Sequence, residues 1–190
     1  EVITRRIANI LRSIPSIRPE NIVAFTFTEK AAESMKKRIV KALGANTSTN
    51  IDHMYVGTIH GFCYHLLNKY TEQFREYKVL DSVKSHLFVA RYCNECGMSD
   101  LNLEPYPRNV NLFLQCIDKM IDDYDHADTW TQEQRDVLNK YIGCLYSHHY
   151  IDFALMIFET LRQLESNPDV KDYLSRIKYL VVDEYQDVND

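Results

Sequence analysis

The amino-acid sequence predicts an α/β fold in which a partial parallel sheet is interrupted by a large, all-helical insertion. Two short apolar segments, Asn21–Thr26 and Tyr179–Val182, have the composition of strands buried on both faces, which is typical of parallel sheets. Most of the chain between them shows helical periodicity. Only five glycines and five prolines occur, which favours helices over tight turns.

The first third of the chain alternates between helical and extended patterns. Apolar residues at helical spacing form one stripe that ends at Pro15 and another that ends at Gly44, a residue suited to the position after a helix. The predicted elements are, in order, a helix over 3–14, the strand Asn21–Thr26, a helix over 32–43, a loop over 45–50, the strand Met54–Val56 and a helix reaching Tyr70.

The middle of the chain is predicted to be helical. Asp81 or Ser82 can cap a helix that runs to about Cys96, and Thr131 with Gln134 forms a capping-box pattern that opens another. The other predicted elements are a helix after Pro107 with an apolar stripe over 110–121, a helix with an apolar stripe over 151–161 that ends near Asn167 and Pro168, and the final strand Tyr179–Val182.

The composition is that of a globular protein with a core. Of 190 residues, 45% are hydrophobic and 26% are charged, which excludes a disordered tail. No apolar run approaches the roughly 20 residues of a membrane-spanning helix, and the first residues lack the pattern of a secretory signal. Five cysteines, an odd number, fit reduced thiols. We therefore expect a soluble, cytoplasmic protein without a membrane partner.

Charge is distributed unevenly along the sequence. The chain carries a net charge of -5, but residues 1–78 carry +5 and residues 79–190 carry -10. A basic segment beside a strongly acidic one indicates an anionic partner for the first segment. The overall acidity argues against a protein that coats duplex DNA through bulk charge.

Cys93 and Cys96 form a single Cys-x-x-Cys motif whose role the sequence leaves open. A structural zinc site needs four ligands, usually from two such pairs or from a cysteine pair and a histidine pair. His86, Cys116 and His126 do not stand at a familiar ligand spacing. We therefore expect two ordinary cysteines on a helix face.

An acidic pair, Asp183 and Glu184, directly follows the last predicted strand. In open parallel sheets, ligands bind at the carboxyl ends of the strands. Two carboxylates there can divide two tasks, since one can hold hydrated Mg²⁺ while the other orients and deprotonates a water molecule. A solvated acidic turn is the alternative, but the apolar run before the pair and Gln186 and Asp187 after it favour a functional site.

Two further loops carry hydroxyl and aromatic side chains at predicted strand-to-helix junctions. Thr26 and Thr28 offer hydroxyls beside the N–H groups of a helix start, and both kinds of donor suit phosphate oxygens. Phe27 between them can stack on an unpaired base. In the second loop, Thr58 and His60 can reach a phosphate. Taken singly, each of these residues is more often a helix cap or a core residue.

Taken together, these segments resemble the N-terminal part of the superfamily 1 DNA helicases of the UvrD/Rep/PcrA type. Residues 26–35 (Thr-Phe-Thr-Glu-Lys-Ala-Ala-Glu-Ser-Met) look like motif Ia of that family, residues 57–62 (Gly-Thr-Ile-His-Gly-Phe) like motif Ic, and residues 182–187 (Val-Asp-Glu-Tyr-Gln-Asp) like motif II, the Walker B box. Ile151–Phe153 is similar to an Asp-Phe element that precedes motif II, and Leu80–Ser82 to the start of the family's helical insertion. The resemblance spans essentially the whole chain and implies a RecA-like sheet of the P-loop NTPase type.

The resemblance implies a role for each matching residue. Asp183 would hold Mg²⁺ through water, Glu184 would activate the water that attacks the γ-phosphate of ATP, and Gln186 and Asp187 would complete motif II. Glu29 departs from the Asn that is frequent in motif Ia and puts an anionic side chain where DNA phosphates would pass. The residues expected to line a track for single-stranded DNA are Thr26, Phe27, Thr28, Thr58 and His60.

The resemblance also implies a division of the chain and a set of partners. Residues 1–69 and 149–190 would belong to the ATP-binding motor domain, and residues 70–148 would form an inserted helical subdomain that helps to contact duplex DNA ahead of the fork. The expected partners are ATP with Mg²⁺, single-stranded DNA, junctions of single- and double-stranded DNA, and repair proteins.

One family element is missing, because no Gly-x-x-x-x-Gly-Lys-Thr phosphate loop occurs in the sequence. We therefore expect an N-terminal fragment of an ATP-dependent DNA helicase of repair or replication, inactive by itself, whose parent moves 3′ to 5′ by family analogy. One alternative is the helicase portion of a helicase–nuclease repair complex. Another is a non-enzymatic protein- or DNA-binding module whose acidic docking residues are Asp118, Asp122, Asp123, Asp125 and Asp128.

Overall fold

The computed structural model describes residues 2–44, 50–124 and 129–185. The predicted loop over 45–50 therefore lies almost entirely outside the described residues. The other residues singled out above that lie outside these ranges are Asp125, His126, Asp128, Gln186 and Asp187.

Helices make up most of the described structure, and none of the described helices is both long and apolar enough to span a membrane. The helices are α1 (Val2–Ser13), α2 (Glu29–Leu43), α3 (Ile59–Tyr70), α4 (Ser82–Arg91), α5 (Pro107–Asp122), α6 (Gln132–Ser147), α7 (Phe153–Ser166) and α8 (Pro168–Ser175). The strands are β1 (Ile22–Phe25), β2 (Tyr55–Gly57), β3 (Lys78–Leu80), β4 (Tyr150–Asp152) and β5 (Tyr179–Val182).

The chain divides into two compact units. The first unit consists of Glu1–Leu66 and Gln163–Asp190, and the second unit consists of Leu67–Arg162. Both divisions fall inside helices, namely α3 and α7. The second division therefore lies further along the chain than residue 149, where the sequence predicts the return to the first domain.

The first unit is built around a parallel three-stranded sheet with the strand order β2-β1-β5. Phe25 lies opposite Gly57 on one side and opposite Val182 on the other, so the three strands end together. Helices α1 and α2 pack against each other, and Ile7 of α1 and Ile39 of α2 are fully buried in the apolar cluster that includes β1. Burial of each such side chain contributes about 1.5–3 kcal/mol, so this cluster supplies the core that fixes the sheet.

The last strand pairs with β1 as the sequence predicts, but it is less buried than predicted. β5 lies at the end of the strand order, and the described residues contain no strand on its other side. Tyr179 and Val181 pack against the core cluster, whereas Leu180 is 62% exposed. The prediction of a strand buried on both faces is therefore wrong. An apolar pattern shows what a face can bury, not whether another layer covers it.

The second unit is not purely helical, which corrects the prediction of an all-helical insertion. β3 and β4 form a parallel two-stranded sheet in which Lys78 lies opposite Tyr150 and Leu80 lies opposite Asp152. Ile151, which the sequence assigned to a helix, is the central residue of β4. Neither strand could be recognised locally, because three residues are too few for a period-two pattern and the partner strand is remote in sequence.

Helices α4, α5 and α6 begin where the sequence predicts, although α4 ends at Arg91 rather than near Cys96. The Asp81 side chain caps α4 by accepting a backbone N–H bond at 2.9 Å, and Thr131 with Gln134 forms the capping box that opens α6. Phe113 of α5 and Tyr141 of α6 are fully buried, and their rings meet edge-on with centroids 5.9 Å apart. Local caps thus fix the helix starts, and aromatic packing joins the helices.

Candidate functional site

The three strands of the first unit end at one edge of the sheet, and predicted site residues follow those ends. Thr26 follows β1, Thr58 follows β2 and Asp183 follows β5. The N–H of Thr26 donates to the carbonyl of Gly57 at 2.9 Å, and the N–H of Asp183 donates to the carbonyl of Phe25 at 2.9 Å. Three segments that are far apart in sequence therefore meet at the carboxyl edge, where open parallel sheets bind ligands.

Thr26 stabilises the turn after β1. The residue is only 5% exposed, and its hydroxyl donates a hydrogen bond to the carbonyl of Thr28 at 3.0 Å. Thr28 in turn caps α2, because its hydroxyl oxygen accepts a hydrogen bond from the N–H of Ala31 at 3.1 Å. The Thr26 hydroxyl is therefore buried and bonded within the turn.

Phe27 stands in the same turn with 70% of its surface exposed. Two other aromatic residues of this region pack inward instead, since the rings of Phe25 and Phe62 meet edge-on with centroids 5.3 Å apart. Phe27 therefore contributes little to the core of the first unit. An exposed phenyl ring beside a polar turn offers a flat face on which a base can stack, which is what the predicted role requires.

Glu29 ties the loop after β2 to the start of α2. The Thr58 hydroxyl donates to Oε1 of Glu29 at 2.9 Å and accepts from the N–H of Gly61 at 3.0 Å. Thr58 therefore caps the first turn of α3 and links two loops at once. The sequence identified Glu29 only as an anionic obstacle to DNA phosphates, whereas the structure gives its carboxylate a positioning role.

Tyr55, which sequence analysis did not single out, supports the same loop. Its hydroxyl donates to the carbonyl of Thr58 at 3.0 Å. A Cβ atom at Gly57 would lie 2.5 Å from the Tyr55 hydroxyl oxygen, and one at Gly61 would lie 2.8 Å from it, so this packing requires both glycines. Burial, helped by the Glu29 carboxylate, raises the pKa of Tyr55 well above its ordinary value, so the hydroxyl stays a donor. The two glycines were the available sequence signal.

His60 lies in the first turn of α3 and is partly buried. Burial lowers the pKa of His60 below its ordinary value, because the charged imidazolium is poorly solvated there. The imidazole is therefore mostly neutral at pH 7, with one donor and one acceptor nitrogen. His60 can offer a phosphate a hydrogen bond rather than a positive charge.

The acidic pair follows β5 in a sharp turn. Asp183 is partly buried, whereas Glu184 and Tyr185 are exposed. Glu184 has a φ of 52°, in the left-handed region that residues other than glycine seldom occupy. Such backbone costs about 1–3 kcal/mol and clusters at functional sites. The first acid is therefore fixed to the sheet edge and the second projects from the turn.

The acidic pair fits one part of a nucleotide site. Mg²⁺ keeps several of its waters in proteins and binds through one or two carboxylates together with substrate phosphates, and Asp183 at the sheet edge offers such a carboxylate. The backbone cradle for the phosphates is not among these 190 residues, since the sequence has no Gly-x-x-x-x-Gly-Lys-Thr loop. The chain thus carries the acidic side of such a site without its phosphate loop.

A small parallel sheet, many helices and an acidic pair at the carboxyl edge are consistent with a RecA-like helicase N-terminal domain. The chain belongs to the UvrD/REP helicase N-terminal domain family, whose sequence profile matches residues 1–190. The recognition made from the three motifs is thereby confirmed.

Several proteins named as DNA helicases are similar to this chain over its whole length. The ATP-dependent DNA helicase PcrA of Leuconostoc citreum is 29% identical over 100% of the chain. A probable DNA helicase of Mycoplasma pneumoniae is 27% identical over 99% of it, and PcrA of Staphylococcus aureus strain Mu50 is 25% identical over 99%. The chain covers 26%, 37% and 26% of these three proteins, respectively, and so spans well under half of their length.

Proposed function

We propose that this chain forms part of the first motor domain of an ATP-dependent DNA helicase or translocase that acts on single-stranded DNA. The observation that carries the proposal is the pairing of β1 with β5, which brings Asp183 to the same sheet edge as the loops of Phe27 and Thr58. Carboxylates suited to a nucleotide and side chains suited to DNA therefore share one edge.

The finer points of the proposal follow the family. Movement would run 3′ to 5′, and the biological setting would be DNA repair or replication. Residues 70–148 would act as the inserted subdomain that contacts duplex DNA at a junction, and repair proteins would be further partners.

In the proposed nucleotide site, Asp183 would hold Mg²⁺ through water, and Glu184 would orient and deprotonate the attacking water. Bound Mg²⁺ would neutralise charge on the phosphate oxygens. The backbone hydrogen bond between Asp183 and Phe25 supports this assignment, because it ties the backbone of Asp183 to the sheet edge. Glu184 is exposed, so its carboxylate is accessible to water.

In the proposed DNA track, the loop residues have different tasks. Phe27 stacks on a base, and His60 offers a neutral hydrogen bond to a phosphate. Thr28 and Thr58 both use their hydroxyls as helix caps, so their main task is to hold the two loops in place. Thr26 supports the turn from inside and does not contact DNA in this proposal.

Fluorescence anisotropy of a labelled single-stranded oligonucleotide at low salt tests the DNA track. Phe27→Ala should weaken binding roughly 5- to 150-fold, because a stacking contact is worth about 1–3 kcal/mol. His60→Ala should weaken it less, since a single neutral hydrogen bond is lost. Tyr106→Ala is the matched control, because Tyr106 is an exposed aromatic residue of the second unit. Binding that neither test variant weakens would contradict the track.

The proposed nucleotide site leads to a separate prediction about ATP hydrolysis by this chain. Without a phosphate loop, the 190-residue protein should release no phosphate from ATP when Mg²⁺ and single-stranded DNA are present. A malachite-green phosphate assay measures this directly. Robust Mg²⁺-dependent turnover by the chain alone would show that its phosphates are held in another way and would contradict the proposal.

A further inference from the structure

Cys93 and Cys96 lie in a tight turn after α4. The sequence-based expectation that they lie on a helix face is therefore wrong. The N–H of Cys96 donates to the carbonyl of Tyr92 at 2.9 Å, and the N–H of Met98 donates to the carbonyl of Cys93 at 2.9 Å. Gly97 has a φ of 84°, a left-handed conformation that glycine adopts without strain. The backbone of this turn is therefore closely defined.

The end of α6 supplies partners for this turn that the sequence did not indicate. Cys144 and His148 are four residues apart and lie on the same side of the helix end. The Sγ atoms of Cys96 and Cys144 are 3.4 Å apart, and both residues are buried. His148 Nε2 lies 3.2 Å from Oε2 of Glu95. The ligand atoms of Glu95, Cys144 and His148 all lie within 4.8 Å of one another.

These separations are close to the ligand-to-ligand distances of a tetrahedral metal site. Typical bonds of zinc to sulfur, nitrogen and oxygen imply ligand-to-ligand separations of about 3.3–3.8 Å at tetrahedral angles. The distance between the two thiols is 3.4 Å, and that between imidazole and carboxylate is 3.2 Å. Among Glu95, Cys144 and His148, the pairs that are up to 4.8 Å apart would need to approach by about 1 Å to match those distances. Cys96 lies outside this mutually close group, so its thiol would need to move further towards Glu95 or His148 when a metal binds.

The competing explanation is that the two thiols simply contact each other and that His148 simply forms a hydrogen bond with Glu95, with no metal involved. It does not explain why the two pairs lie side by side, with Cys144 of the first within 4.8 Å of both members of the second. The ring of Tyr92 lies against the imidazole of His148 with centroids 4.1 Å apart, and this packing restricts the orientation of the imidazole.

We propose that Cys96, Cys144, His148 and Glu95 form a binding site for a divalent cation of the Zn²⁺ class. Two thiolates, an imidazole and a carboxylate are donors that Zn²⁺ takes in four-coordinate sites. Four protein ligands leave no open position, so the site is structural and joins the turn after α4 to the end of α6. The two thiols lose their protons to solvent when the metal binds. Cys93 is not a ligand, and its thiol contacts the Asn94 side chain at 3.7 Å.

Metal analysis of the reduced 190-residue protein tests the site. After Zn²⁺ loading and dialysis, the protein should retain one equivalent of zinc by mass spectrometry of the metal. Titration with Co²⁺ should give the visible bands of a tetrahedral ion and a near-ultraviolet charge-transfer band from thiolate to cobalt. Zinc should also raise the melting temperature, because it binds only the folded protein. Reduced protein that binds neither ion tightly would overturn the proposal.

Substitutions identify the ligands. Cys96→Ser and Cys144→Ser should each remove about half of the charge-transfer band and weaken Co²⁺ binding at least about 100-fold, which exceeds the 10- to 100-fold typical of changes around the ligands. Glu95→Gln, at an exposed position that does not endanger the core, should also weaken binding at least about 100-fold, as expected for a lost anionic ligand. Cys116→Ser is the control, because Cys116 is an exposed cysteine of α5, and it should change nothing.

Two results would overturn the proposed ligand set. One is an unchanged cobalt spectrum in the folded Cys96→Ser and Cys144→Ser proteins, as judged by circular dichroism. The other is loss of tight binding in Cys93→Ser together with unchanged binding in Glu95→Gln. The test does not involve ATP or DNA, so its outcome is independent of the proposed motor function.

Discussion

Tyr141→Phe tests whether one buried hydrogen bond organises the second unit. Tyr141 of α6 is fully buried, and its hydroxyl donates to Oδ2 of Asp152 at 2.5 Å. Asp152 ends β4, is 6% exposed, and accepts from the N–H of Leu155 at 2.8 Å through its other carboxylate oxygen, which opens α7. Phenylalanine keeps the ring and its edge-on contact with Phe113 but removes the donor.

The expected magnitude follows from leaving a buried carboxylate with one donor fewer. A hydrogen bond to a charged group contributes about 1.5–3 kcal/mol, so the free energy of unfolding should fall by about 2 kcal/mol at pH 7. For a chain of this size, that corresponds to a decrease in melting temperature of roughly 4–8 °C.

The pH dependence of this cost has a definite sign. Burial raises the pKa of Asp152 above its ordinary value, and the hydrogen bond from Tyr141 opposes that rise. Because the folded-state pKa is the higher one, ionisation of Asp152 costs stability as the pH rises through it. Removal of the donor raises this pKa further, so the variant should lose more stability than the wild type over the same range. The cost should therefore be smaller at pH 5 than at pH 7.

Urea unfolding followed by circular dichroism at both pH values measures these differences. Tyr146→Phe is the matched control, since its hydroxyl donates to Glu159 at 2.6 Å, but that carboxylate also pairs with Arg162 at 2.9 Å. The control should cost less than about 1 kcal/mol, because the carboxylate keeps a charged partner. The reasoning is refuted if Tyr141→Phe costs no more than the control, or if its cost is the same at both pH values.

Two further predictions concern single carboxylates. Glu29→Gln keeps an oxygen that can accept the hydrogen bond from Thr58 but removes a negative charge beside the proposed DNA track. Single-stranded DNA should therefore bind roughly 2- to 5-fold more tightly at low salt, as measured by fluorescence anisotropy. Glu33→Gln, on the same helix, is the control and should have a smaller effect. Asp118→Asn should stabilise the protein at pH 7 by less than about 1 kcal/mol and leave its stability unchanged near pH 4, as thermal unfolding can show. Desolvation and the Asp152 carboxylate raise the pKa of Asp118 to about 6, so its ionisation costs stability as the pH rises from the unfolded-state pKa towards 6. The effect stays small because the Asp118 side chain is exposed and solvent screens its charge. Equal affinities for Glu29→Gln and its control, or equal stabilities of Asp118→Asn and wild type at pH 7, would contradict these two expectations.

The sequence predicted those elements whose signals lie within a few neighbouring residues. The Asp81 cap, the start of α5 at Pro107 and the capping box at Thr131 were all recognisable, because a cap joins atoms that are at most four residues apart. Helix α8 was missed for a related reason. Asn167 was interpreted as the end of a helix, but its side chain also accepts from the N–H of Asp169 at 3.0 Å and begins the next one.

The identity of the residues that follow each strand was determined by the sequence alone, and it sufficed to recognise the family. It placed an acidic pair after the last apolar segment and hydroxyl and aromatic residues after the first two. The order of these motifs along the chain is a property of the sequence and needs no coordinates.

Only the tertiary structure decided which of these side chains face solvent and which of them meet. Thr26 is buried although its neighbour Phe27 is exposed, and Thr58 bonds to Glu29, which lies 29 residues earlier in the chain. Likewise, the thiol of Cys96 contacts that of Cys144, which lies 48 residues later in the chain. The physical reason is that burial and pairing depend on how separate segments pack, whereas hydrophobic periodicity and caps report only on contacts within a segment.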